Sequence, residues 1–101
     1  LYHLTKMTPE ALEKSATSSP NPPSDLTDVQ RVLWLARAGQ WDKAHDQCQN
    51  LESPAAEWIH AHLHREEGDL SNANYWYSLA GQPSSTASLI DEWRQLAKEF
   101  C

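Results

Sequence analysis

The shift that carries Gly39 onto Gly68 also carries Ala44 onto Ala73 and Pro54 onto Pro83, and it places Trp41 and Leu70 in one shared apolar slot. Each matched residue type serves a physical need at its position. Glycine lets the chain leave a helix through a left-handed residue, alanine lets two helix backbones approach closely, and proline separates one pair of helices from the next. A period between about 20 and 50 residues built from two short helices cannot bury its apolar faces alone, so neighbouring copies must cover one another. The doubled segment therefore predicts an all-α chain. Its expected form is a short right-handed α-solenoid of two helix-turn-helix hairpins, with a C-terminal helix capping the open end of the stack.

Local signals divide the chain in the same way. Thr8-Pro9-Glu10 reads as a helix start, with threonine as cap and proline in the first turn, but the apolar pattern fades by residue 16. Residues 17–24 hold three prolines and three serines, a composition that does not propagate a helix. Residues 1–24 are thus expected to be a short helix and linker forming a loosely attached arm, and residues 25–101 the helical-repeat domain. Within the domain, Leu26, Val29, Val32, Leu33 and Ala36 form one stripe on a helix that ends before Gly39. Trp41, Ala44, Cys48 and Leu51 mark a second helix. Ser53-Pro54 opens a third, running to Glu67, with Ala55, Ile59, Leu63 and the edge residue Trp58 facing inward. Ala73, Trp76, Tyr77 and Ala80 stripe a fourth, over residues 70–80. A last helix over 85–100 carries Leu89, Ile90, Trp93, Leu96, Ala97 and Phe100, with the hydroxyls of Ser84, Ser85 and Thr86 at its start.

Charge and cysteine usage exclude several function classes. Eight basic residues against fourteen acidic ones give a net charge of −6, with the cations scattered along the chain, so no nucleic acid is expected as a partner. Cys48 and Cys101 are far apart and outside any C-x-x-C frame, which suits a reducing, cytoplasmic setting better than a disulfide scaffold. Cys48 lies on the packing face and is expected in the core. Apolar runs are too short for a membrane span, and the first residues lack the pattern of a secretory leader. No cofactor is expected, since glycine-rich phosphate loops and activated nucleophiles are missing.

The segments Gly39-Gln-Trp41-Asp-Lys-Ala44 and Gly68-Asp-Leu70-Ser-Asn-Ala73 resemble the turn of tetratricopeptide repeats. Ala73-Asn-Tyr-Trp76-Tyr77-Ser-Leu-Ala80-Gly81 is similar to the second helix of Sel1-like repeats. The resemblance covers about residues 25–83. It implies a non-catalytic module that binds a protein or peptide on the concave face made by the first helix of each hairpin. Carrying the family spacing back from Ala73 puts Trp58, His62, Arg65 and Glu66 on that face, and the same count from Ala44 gives Arg37 with Val29 and Leu33, the last two expected in the core because they belong to the apolar stripe of their helix.

One further motif could carry chemistry. His60-Ala-His62-Leu-His64 looks like a metal tract, but helical geometry divides it: His60 and His64 share a face while His62 points elsewhere. Glu57, His60, His64 and Glu67 form one stripe, and such a pair with flanking carboxylates can hold a divalent ion once another helix supplies a third ligand, for which His45 is a candidate. The pair lacks the glutamate that the zinc-protease motif places directly after its first histidine. Against metal stands the plainer expectation that these imidazoles are hydrogen-bond partners at a helix seam. Glu66-Glu67 and Asp91-Glu92 read as solvated faces, and of the three adjacent aromatics only Tyr75 is expected to face outward. Three readings follow. They are a peptide-binding module, a metal-binding protein or small metal-dependent enzyme, and a structural subunit whose aromatic surface closes a homo-oligomer.

Overall fold

Helix starts in this chain are set by side chains that accept the backbone N–H groups left unpaired in a first turn. In the computed structural model, which describes residues 7–101, Thr8, Thr27, Ser53, Asp69 and Ser88 each accept from an amide three residues on. Thr27 and Gln30 complete a reciprocal capping box. The helices so begun are α1 (Pro9–Ser18), α2 (Asp28–Arg37), α4 (Pro54–Glu66), α5 (Leu70–Ala80) and α6 (Leu89–Phe100). Only α3 (Trp41–Cys48) starts without a side-chain cap, directly after the turn that closes α2. No strand occurs among the described residues.

The turns that close α2 and α4 share one backbone hydrogen-bond pattern, which Gly81 repeats at the end of α5. Gly39 and Gly68 both take positive φ (79° and 82°), the left-handed conformation a β-carbon disfavours. Around the first, Gln40 N–H returns to Leu35 O; around the second, Asp69 N–H returns to His64 O, each at 2.9 Å. These bonds superpose under the register read from the sequence. α2 packs on α3 and α4 on α5, and α3 then lies against α4 to join the hairpins.

α4 is the centre of the molecule. Residues 58–64 are buried without a break, so its whole circumference is covered, and the inward stripe expected there was too narrow. On one side stand α3 and α5. On the other lies α6, which packs across α2, α4 and α1 and makes no close backbone approach to α5. The expectation of a helix capping the end of the stack is corrected: α6 fills the broad face formed by α2 and α4. Its first turn also differs from expectation. The cap is Ser88 rather than the hydroxyls at 84–86, and Leu89 remains 40% exposed because it precedes the buried stripe of Glu92, Trp93, Leu96 and Ala97.

α1, expected to be loosely attached, is packed into the core. Leu12 and Ala16 of α1 are buried, the indole of Trp34 donates to Ser15 Oγ at 3.0 Å, and Glu13 ties α1 to Arg37 of α2 and Arg94 of α6. Trp34 is fully buried although the α2 stripe leaves it out, since α1 covers the flank on which it sits. Val29, expected in the core, is only half-buried. Cys48 is buried, as its place on the packing face predicts, and burial pushes its thiol up to about 12, which makes it an inert core residue. No helix among the described residues is long and apolar enough to cross a membrane.

Candidate functional site

The alternating histidines of α4 are delivered to opposite sides of the molecule, as a rotation of about 100° per residue requires. His60 and His64 face α3 and α5, while His62 faces α6. Two separate polar clusters result.

The first gathers at the seam of α3, α4 and α5. Trp41 positions it: the indole N–H donates across the seam to Leu63 O at 2.7 Å, which fixes α3 against α4 and brings His45, one turn further on, over the α4 pair. His45 Nε2 and His60 Nε2 stand 3.0 Å apart, and one ligand nitrogen from each of His45, His60 and His64 lies within 4.8 Å of the others. His64 Nδ1 meets Glu67 Oε1 at 2.6 Å, leaving Nε2 as its free nitrogen. Aromatic rings flank the cluster. Trp76 of α5 stacks on His60 with centroids 3.8 Å apart and planes 11° from parallel, and Trp41 stacks on His45 at 4.8 Å and 9°. Burial, with His45 and His64 as like-charged neighbours, pushes His60 down to about 4 and keeps it neutral near pH 7. His60 and His64 are buried and His45 is half-buried, so the cluster opens to solvent on the α3 side.

Chemically this arrangement suits a cation that prefers imidazole. Tetrahedral zinc with Zn–N bonds near 2.0–2.1 Å requires ligand nitrogens about 3.3 Å apart. The observed nitrogens bracket that figure, with His45 and His60 at 3.0 Å and all three within 4.8 Å. A histidine whose second nitrogen is held by a carboxylate, as His64 is by Glu67, is also the usual outer support of a metal ligand, because the carboxylate fixes ring orientation and tautomer.

The second cluster centres on Glu92, which is fully buried. Its Oε1 accepts from His62 Nδ1 at 2.7 Å and from Arg65 at 2.7 Å; its Oε2 accepts from the Trp58 indole at 3.3 Å and from the Tyr77 hydroxyl. Four donors fill the four lone-pair positions of one carboxylate. Burial by itself would raise this carboxyl, but the bonds from His62, Tyr77 and Arg65 and the charge on His62 outweigh it and hold Glu92 at about 2. Burial likewise opposes charge on His62, and Glu66 and Glu92, bonded to its two ring nitrogens, overcome that and raise its pKa. The expectation that Asp91-Glu92 is a solvated face is therefore corrected for Glu92. Its signal was present in the sequence: position 92 falls three residues after Leu89 and four before Leu96, inside the apolar register of α6.

Of the residues expected on a ligand-binding face, Trp58, His62 and Arg65 all turn to Glu92. Arg65 also donates to Ala87 O at 2.6 Å. Arg37 and Glu66 lie elsewhere: together with His62 they border a cleft of about 190 Å³ between α2, α4 and α6, walled by Ala36, Leu89, Ile90 and Trp93. Tyr75 faces solvent at 58% exposure, as expected, and with Leu70 and Leu79 it leaves the outer side of α5 apolar. The metal pair read from the sequence, His60 and His64, is brought together, and His45 joins it. The supporting roles of Trp41 and Trp76 were not legible, since both sat in apolar slots that predict packing alone. Compared with protein-family models, curated proteins and solved structures, the chain matches none.

Proposed function

We propose that this chain is a small metal-binding protein in which a two-hairpin helical repeat, a short solenoid, holds a divalent transition-metal ion between His45, His60 and His64. The observation that carries this reading is the convergence of three imidazoles from two helices within 4.8 Å, one of them oriented by a carboxylate. All-nitrogen ligation of this kind favours zinc, copper or nickel over magnesium or calcium, which prefer oxygen. Thermal unfolding of the metal-free protein with and without added Zn²⁺ tests it. At free Zn²⁺ about 100 times the dissociation constant, binding to the folded state alone adds about 2.7 kcal/mol. That raises the midpoint by roughly 10 °C or more for a chain of this size. The increment disappears in His45→Ala, whose ring is half-buried and whose loss leaves the α4 core intact. A midpoint indifferent to Zn²⁺, Cu²⁺ and Ni²⁺ sinks the proposal.

A second reading is favoured by the cleft bordered by Arg37, His62 and Glu66. Its charged rim and apolar wall of Leu89, Ile90 and Trp93 suit one side chain of a bound peptide, which agrees with the partner class implied by tetratricopeptide-like and Sel1-like repeats. Selection from a displayed random-peptide library examines this. Enriched peptides bind the parent and the His45→Ala variant alike and lose at least tenfold in affinity to Arg37→Ala. Failure to enrich any sequence ends this reading.

A further inference from the structure

We infer that the three-histidine centre keeps one coordination position open for an exchangeable small anion or water molecule, making it an electrophilic site rather than a structural clamp. This rests on the metal reading above.

The ligand count comes first. Structural zinc sites are closed by four protein groups, whereas three protein ligands leave a position for solvent or substrate. Among the described residues, the group that converges with His45 and His60 contains only His64 as a further ligand-type side chain. The nearest carboxylates, Glu67 and Asp69, gather with His64 rather than with His45 and His60. Glu67 is bonded to the far nitrogen of His64, and Asp69 Oδ1 caps α5 by accepting from the Asn72 amide at 3.3 Å and the Ser71 hydroxyl at 3.4 Å. Cys48, on the same helix as His45, turns its thiol to Ala56 O at 3.0 Å inside the core.

Charge makes the open position attractive to anions. Three neutral imidazoles leave the full 2+ of the ion uncompensated in a partly buried site, with Glu67 held on His64 Nδ1. An incoming anion supplies the missing negative charge. Direction and size are limited by the walls: Trp76 and Trp41 lie flat against His60 and His45, and of the three histidines only His45 is half-buried, which leaves no room for a bulky ligand. The ligand class is therefore hydroxide, azide or a single carboxylate.

Cobalt substitution gives the test, because the visible absorption of Co²⁺ reports coordination number and ligand exchange directly. The metal-free protein is titrated with Co²⁺, and the loaded protein with sodium azide. The expected result is a four-coordinate cobalt spectrum at one ion per chain whose bands shift saturably with azide. Glu67→Gln, an exposed change that spares the core, binds Co²⁺ about 10–100-fold more weakly while keeping the azide response. A stoichiometric cobalt spectrum that azide leaves unchanged overturns the open position and leaves metal binding standing. If the parent binds no Co²⁺ at all, the metal reading and this inference fall together.

Discussion

Glu92→Gln destabilises the protein by about 3–5 kcal/mol, the cost of breaking a buried charge cluster by removing one partner. The amide is nearly the same size, so the loss is electrostatic. His62 and Arg65 lose their buried counter-charge, and one of the two donor pairs converging on Glu92 meets an NH₂ group where it needs an acceptor. Against a total of about 5–15 kcal/mol for an ordinary domain, the variant keeps little margin. Urea unfolding followed by tryptophan fluorescence measures it; a difference under about 1 kcal/mol shows that the cluster is not an energetic centre.

The same carboxylate sets an acid limit. Its pKa falls from the ordinary 4.5 to about 2 in the folded state, so the charged form is the one folding favours. Its contribution is complete above about 4.5 and fades as the pH drops through that interval toward 2. Parent stability therefore declines over this window, and the Glu92→Gln variant declines less steeply. Equal slopes for the two proteins contradict the assignment.

Deleting residues 88–101 abolishes cooperative folding. A helix that merely capped a repeat stack could be removed at modest cost, since each unit in such arrays leans only on its neighbours. Here the deletion strips Trp93, Leu96 and Ala97 from the faces of α2 and α4 and removes the indole bond from Trp93 to Leu33 O at 2.9 Å. It also removes the acceptor shared by the Trp58 indole, the Tyr77 hydroxyl and His62 Nδ1. The expected truncated chain retains partial helical circular dichroism but melts broadly, without a transition. A sharp melt close to that of the full chain shows that α6 is peripheral after all.

The two polar clusters share α4 yet depend on different neighbours, which makes them separable by mutation. The Glu92 cluster stitches α6 to α4 and α5 and has the marks of a stabilising network, with each donor matched to an acceptor. The histidine cluster sits where α3, α4 and α5 meet. Its rings touch one another and two tryptophans, and His45 and His60 share an Nε2···Nε2 hydrogen bond at 3.0 Å in which one ring donates and the other accepts. A cation bound there replaces that hydrogen bond with metal–nitrogen bonds, and the Zn²⁺ melting experiment reads that exchange.

Local sequence determined the helices and the turns between them. Caps, prolines and the glycines at 39 and 68 act within a few residues of themselves, so those turns were legible, but the shared apolar slot is not kept, since Trp41 packs against the core and Leu70 is 61% exposed. The division of the α4 histidines was also legible, since the helical angle alone sends His60 and His64 one way and His62 the other. What the sequence could not supply was which face each helix presents to which partner. An acidic residue in the α6 register reads as solvent-facing until α6 lies on α4, where four donors make burial favourable. Trp58, His62 and Arg65 read as free for a ligand until Glu92 engages them. The third histidine and Trp41 come from α3 and Trp76 from α5, and only packing at the seam of α3, α4 and α5 brings them to the α4 pair.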